Sequence, residues 1–200
     1  MIKYILFDNN GVLTTSDRES TYGNISKLLR TTEEKVASLF NAIVRDLDVG
    51  KMTQDEFYRQ ILINAKSSVS LEEFRKVHLR SYVPKKEVQE FAQSLKSKYK
   101  IFLVTNFGDA FWSMFNKWGL NKVFPKKDVF VSSDIKLAKP FPEIYLFALN
   151  KIGAKPKETV FIDDNAENVK SAESLGIHTI LFEGLDALKD SLKKLGIKVE

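Results

Sequence analysis

The sequence predicts an α/β protein: a doubly wound, mainly parallel five-stranded sheet of Rossmann type, with a helical bundle inserted into its first crossover. Three observations carry this reading. Five short runs, at 4–8, 100–106, 129–133, 159–164 and 178–182, are mostly continuous apolar stretches rich in Val, Ile and Phe, the pattern of strands covered on both faces. From the second run onward, helical patterns alternate with the strands, which is βαβ repetition. About ninety residues separate the first run from the second, where a single crossover helix would do.

The elements follow in order. After the first strand, a weaker helical pattern at 20–30 precedes an amphipathic stripe at 32–47, with Val36, Leu39, Phe40, Ile43, Val44 and Leu47 on one face and Gly50 closing it. Thr53 with Glu56, and Ser70 with Glu73, form capping boxes ahead of Phe57 and Phe74. These helices make up the insertion, residues 15–83, leaving 1–14 and 84–200 as the α/β core. Pro84 then opens a return helix at 85–96. Helices at 109–118, 142–151, 166–175 and 185–195 follow, three of them ending at or near Gly119, Gly153 and Gly176.

Composition narrows the chemistry. The 200 residues contain no cysteine, so disulfides, thiolate-ligated metals and a catalytic thiol are excluded and any reaction must use oxygen and nitrogen groups. The longest apolar run, 144–149, is far too short to span a membrane. The run at 4–7 stops at Asp8, too soon for a signal peptide. A cytoplasmic protein is expected, and the Asn24-Ile25-Ser26 sequon is then without meaning. The formal charge of +5 favours an anionic partner, but the lysines are dispersed and no arginine-rich arm exists. A small phosphorylated metabolite fits better than nucleic acid.

In open parallel sheets ligands bind outside the carboxyl ends of the strands. Here those ends carry Asp8-Asn9-Asn10-Gly11, Thr105-Asn106-Phe107-Gly108, Ser132-Ser133-Asp134 leading to Lys139-Pro140, and Asp163-Asp164-Asn165. Three carboxylates, a hydroxyl, an amide and a lysine converge on one crevice. Such a cluster needs neutralising cations, and Lys139 with a hard, oxygen-preferring ion such as Mg²⁺ would serve. Together they suit a phosphoryl group.

These motifs resemble those of the haloacid dehalogenase superfamily, in the branch with a helical cap after the first motif, and are similar to small capped phosphatases and to the phosphatase domain of soluble epoxide hydrolase. The resemblance rests on Phe7-Asp8-Asn9-Asn10-Gly11-Val12-Leu13, Val104-Thr105-Asn106, Lys139-Pro140-Phe141-Pro142-Glu143-Ile144-Tyr145, and Phe161-Ile162-Asp163-Asp164-Asn165-Ala166-Glu167-Asn168-Val169, in family order. It implies that Asp8 is the nucleophile, forming an aspartyl-phosphate that water hydrolyses. It further implies that Asp164 ligates Mg²⁺ directly, Asp163 holds a metal-bound water, and the Asn10 carbonyl completes the protein's share with Asp8. Thr105, with Asn106 beside it, would bind the phosphoryl oxygens, Lys139 would orient Asp8 and balance charge, and Asn168 would anchor the metal loop.

Position 10 departs from the phosphatase pattern, which has an aspartate there to protonate the leaving oxygen and later activate water, work worth about 10²–10⁴-fold. Asn10 can do neither. The readings that follow are an attenuated phosphatase suited to good leaving groups, a phospho-ligand-binding or regulatory protein without turnover, and an Asn10-Gly11 pair that matures to aspartate by deamidation. A 2-haloacid dehalogenase-like hydrolase is a further alternative, but without a cation it would leave Asp163-Asp164 uncompensated.

Other polar and aromatic residues have plainer readings. One of Asp163 and Asp164 is expected to cap the helix that follows. His78 and His178 read as a helix-surface and a strand residue, Trp112 and Trp118 as packing. Arg18, Arg45 and Arg59 are cationic candidates for substrate contact that the sequence does not rank.

Overall fold

The computed structural model describes residues 1–15 and 18–199, with the side chains of 18–20 outside the description. Its main sheet has five parallel strands: β1 (Tyr4–Phe7), β4 (Lys100–Thr105), β5 (Val129–Val131), β6 (Thr159–Asp163) and β7 (His178–Leu181), in the order β5-β4-β1-β6-β7. The order reverses at β1, so the crevice opens beside the strand that ends at Asp8. Each strand stops earlier than its apolar run. Beyond β5, Ser132–Ile135 turns into a short helix (α8), and Asp8 lies one residue past β1, its N–H donating to the Ile162 carbonyl at 2.9 Å.

Helices cover both faces of the sheet. Against one face pack α5 (Lys86–Leu95), α6 (Phe111–Phe115), α7 (Leu120–Val123) and α11 (Leu185–Lys194), burying Ile5, Phe7, Leu103 and Ile162. Against the other pack α9 (Pro142–Ile152) and α10 (Ala166–Ser174), burying Leu6, Phe102, Val104 and Phe161. The helix expected at 109–118 is divided. It starts at Phe111, leaves helical form after Phe115, and resumes at Leu120 beyond Gly119, whose φ of 77° is left-handed backbone suited to glycine.

The insertion is a four-helix bundle with its own core: α1 (Arg18–Leu29), α2 (Glu33–Asp48), α3 (Gln54–Asn64) and α4 (Leu71–Arg80). The Thr53–Glu56 capping box forms in full, and Thr32 and Ser70 cap α2 and α4 by accepting from the Lys35 and Glu73 N–H groups. Phe40, Phe57, Tyr58 and Phe74 meet in the centre, each worth about 1.5–3 kcal/mol of burial. Where the chain leaves and re-enters the α/β core, two short strands unannounced by the sequence pair antiparallel: β2 (Thr14–Thr15) and β3 (Val83–Pro84).

Close backbone approach seats the bundle over the sheet ends. A Cβ at Gly108 would lie 2.5 Å from the Leu47 side chain, and one at Gly50 would lie 2.5 Å from the Ser133 carbonyl. Lys136 donates to the Gly50 carbonyl at 2.9 Å, and Asp109 accepts from the Gln54 N–H at 2.8 Å. Among the described residues, no helix is long and apolar enough to cross a membrane.

Candidate active site

The carboxyl ends of β1, β4 and β6 meet around one buried lysine. Lys139 lies in the loop between α8 and α9, ahead of a cis bond to Pro140. Its ammonium donates to Asp8 at 2.6 Å and to Asp163 at 2.7 Å. All three side chains are almost fully buried. Asn106 fixes the lysine's backbone from both sides: its carbonyl oxygen accepts from the Lys139 N–H and its amide donates to the Lys139 carbonyl, each at 2.9 Å. The same amide donates to Asp48 at 3.3 Å.

Asp163 and Asp164 are adjacent in sequence but differently placed. Asp163, wholly buried, takes Lys139, the Asn165 N–H at 2.8 Å and the Asn168 amide at 3.0 and 3.1 Å. Asn168 is tied down in turn, its carbonyl accepting from the Tyr145 hydroxyl at 3.0 Å. Asp164 is exposed and faces the first loop, where a Cβ at Gly11 would overlap its carboxylate. The expected aspartate cap of α10 is overturned: Asn165 accepts from the Glu167 N–H at 2.8 Å, Asp163 being occupied by lysine and amides.

Asn10 stands in a tight turn in which the Asn9 carbonyl accepts from the Leu13 and Thr14 N–H groups at 2.8 and 2.9 Å. The Asn10 side-chain oxygen accepts from the Asn9 amide at 3.0 Å. Thr105 is fully buried at the end of β4, and its hydroxyl finds no partner among the described residues.

Charge crowding is visible in the pKa directions. Burial pushes Asp8 up, Asp163 and Asp164 add to the push, and Lys139 opposes it. Lys139 is itself raised, because the two carboxylates outweigh the burial that disfavours its charge. Oxygens of Asp8, Asp163 and Asp164 can all lie within 4.8 Å of one another. An all-oxygen, multiply acidic cluster of that size fits a hard divalent cation such as Mg²⁺.

Two residues in or beside this site escape a reading of the sequence. Asp48, the last residue of α2, lines the cavity, and burial pushes its carboxyl up to about 7. Its signal in the sequence is slight: an acid in the last turn of a helix opposes the helix dipole and so serves something other than the helix. Lys85 donates to the Gly11 carbonyl at 2.5 Å, and its charge acts on Asp164. Nothing in the pattern of dispersed lysines singles it out.

A cavity of about 620 Å³ separates the bundle from this cluster. Its floor carries Asp8, Asn10, Asn106, Lys139 and Asp164; its roof carries Tyr22, Phe40, Val44, Phe57 and His78. His78 is therefore no helix-surface residue. It is buried on the face it shares with Phe74, with Tyr58 bonded to Nδ1 at 2.8 Å and Tyr82 to Nε2 at 3.4 Å. His178 is exposed on β7, and Trp118 is buried. Arg45 stacks on the Phe141 ring at 4.4 Å, and Arg59 is exposed away from the cavity. The Arg18 side chain lies outside the described residues.

A doubly wound parallel sheet with an acidic, lysine-bearing crevice at its carboxyl ends belongs to an α/β enzyme. Residues 2–176 match the family model for haloacid dehalogenase-like hydrolases, and the chain belongs to that family of hydrolases. It is 27% identical over 198 residues to the D-ribitol-5-phosphate phosphatase of Bacteroides thetaiotaomicron, covering 90% of this chain and 91% of that one. To flavin mononucleotide hydrolase 1 of Arabidopsis thaliana it is 26% identical over 197 residues, covering 98% and 78%. A haloacid dehalogenase family enzyme from B. thetaiotaomicron, solved with magnesium and inorganic phosphate, superposes with a TM-score of 0.78 at 30% identity over 90% of this chain and 93% of that one.

Proposed function

We propose that this hydrolase is a cytoplasmic, Mg²⁺-dependent phosphatase of small phosphorylated metabolites, acting through an aspartyl-phosphate on Asp8. The observation that carries the reading is Lys139 held between Asp8 and Asp163 with Asp164 alongside, at the base of a cavity roofed by the bundle of residues 15–83, which we take as a cap. Phosphatases among the relatives support it. Asp8, Asp164 and the Asn10 backbone carbonyl would hold Mg²⁺, with Asp163 reaching it through water. When bound, the ion neutralises charge on the carboxylates and on the phosphoryl group.

The chain's own groups divide the remaining work. Lys139 aims the Asp8 carboxylate and offsets its charge. The Thr105 hydroxyl donates to a phosphoryl oxygen, and Asn106 keeps Lys139 at the phosphoryl site. Asp8 attacks phosphorus, the ester oxygen leaves, and water then attacks the phosphorus of the aspartyl-phosphate and frees Asp8. Asn10 transfers no proton, so esters with poor leaving groups turn over slowly compared with an enzyme bearing aspartate there. The paired acids at 163 and 164 count against a metal-free dehalogenase.

A panel of phosphorylated metabolites with Mg²⁺, run on the native protein beside Asp8→Asn and Asn10→Asp, tests this. Turnover is expected to need Mg²⁺, vanish in Asp8→Asn and rise in Asn10→Asp, with intact mass confirming the amide at position 10 in the native protein. Tight vanadate binding without turnover would instead favour a phospho-ligand-binding role. No change from either substitution would sink the phosphatase reading.

A further inference from the structure

The phosphatase reading leaves a proton without a carrier. Attack by Asp8 from the floor of the cavity expels the ester oxygen on the opposite side, toward the bundle. Four carboxylates line the cavity among the described residues: Asp8, Asp164 and Glu167 from the sheet side, and Asp48 from the bundle. Asp48 is also held in place. Its neighbours Leu47, in α2, and Gly50, just beyond the helix, both meet the core, and its carboxylate accepts from Asn106, the residue clamped onto the Lys139 backbone.

We propose that Asp48 is the acid–base group of this enzyme, supplied by the bundle to do what Asn10 cannot. The proposal rests on the phosphatase reading and deepens it. In the first half-reaction the Asp48 carboxyl gives its proton to the ester oxygen as the bond from phosphorus to that oxygen breaks and the bond from phosphorus to Asp8 forms. The alcohol leaves and Asp48 is left as carboxylate. In the second, water attacks phosphorus, its proton passes to Asp48, and the bond to Asp8 breaks. Inorganic phosphate departs, with Asp8 and protonated Asp48 restored.

The surroundings of Asp48 suit this duty. Burial pushes its carboxyl up to about 7, against the Lys139 charge and the Asn106 hydrogen bond, which favour the carboxylate. Asp8, Asp164 and Glu167 share the cavity with it; Arg45 stands on the Phe141 ring, Lys136 on the Gly50 carbonyl and Asp109 on the Gln54 N–H. Gln54 lines the same cavity, buried, with its amide nitrogen unpartnered among the described residues, a donor for an oxygen of the substrate.

The test compares kcat/KM for p-nitrophenyl phosphate, whose leaving group needs little protonation, with that for ribitol 5-phosphate, whose alkoxide needs it fully. In Asp48→Asn, ribitol 5-phosphate hydrolysis should fall by about 10²-fold or more, and aryl ester hydrolysis by at least tenfold less than that. In the native protein, alkyl-ester kcat/KM should decline as pH rises through about 7, and the aryl ester should not share the decline. Asn10→Asp should raise alkyl-ester activity more in the Asp48→Asn background than in the native one, because the two acids would serve one oxygen. Equal losses on both esters, equal gains in both backgrounds, or a native protein that cleaves the aryl ester alone would overturn the role of Asp48 and leave the phosphatase standing. Hydrolysis of neither ester by the native protein or by Asn10→Asp would overturn both.

Discussion

Lowering the pH puts the packing of the bundle under test through His78. Burial among Phe40, Tyr58 and Tyr82 holds its imidazole near a pKa of about 4, against an ordinary 6.5. The folded protein keeps the ring neutral while the unfolded chain takes up a proton below 6.5, so stability is complete above that value and is lost as pH falls toward 4. The gap is worth about 3 kcal/mol in full, of which roughly 2 kcal/mol has gone by pH 5. Asp8 and Asp48 titrate in the opposite sense, since raised carboxyl pKa values favour the fold as pH falls. The comparison must therefore be made against His78→Gln, which keeps a polar group near the Tyr58 hydroxyl but does not titrate. Urea unfolding of both proteins at pH 7 and pH 5 gives the difference of differences. Native protein that loses about 2 kcal/mol more than the variant supports a neutral, buried ring. Parallel behaviour of the two would refute it.

Further outcomes follow from the site. Lys139→Met leaves Asp8 and Asp163 buried without their cation and should cost about 3–5 kcal/mol at pH 8. That cost should shrink at pH 5, as Asp8, whose carboxyl burial pushes up, takes up its proton, and under added Mg²⁺, both readable by thermal melting. Gly11→Ala forces a side chain onto a φ of 88° and into the Asp164 carboxylate. It should cost about 1–2 kcal/mol of stability and weaken Mg²⁺ binding in calorimetry. Tyr145→Phe removes the hydroxyl that ties Asn168 in place and should cost about 1 kcal/mol while leaving the Mg²⁺ stoichiometry unchanged.

The floor of the site was legible because strands of a parallel sheet announce their own ends. An apolar run that stops at Asp8, Thr105 or Asp163 places those side chains at one edge before any contact is known. What escaped depends on docking. Asp48 becomes a cavity residue through the seating of α2 against Gly108 and Ser133, a contact between segments about sixty to eighty-five residues apart that no periodicity encodes. His78 escapes because its helix carries a narrow apolar stripe, Leu71, Phe74 and Val77, and an imidazole at the next turn reads as polar although two tyrosines close over it. The break after Phe115 was hidden because the apolar spacing runs on to Trp118 through a segment that is not helical.

Tyr82 packs on His78 at 5.4 Å on one side and on Phe107 and Trp118, both at 5.5 Å, on the other. Rings of the bundle and rings of the sheet domain therefore form one continuous chain of edge-on and tilted contacts across the cavity's edge. The indole of Trp118 sits at its core end, buried beside that tyrosine, while Trp112 is bonded to Asp134. Any parting of bundle from sheet would break these contacts at Tyr82 and change the surroundings of Trp118. Trp118 fluorescence would report such a parting without a label, and an emission that does not change when substrate is added would mean that bundle and sheet stay together.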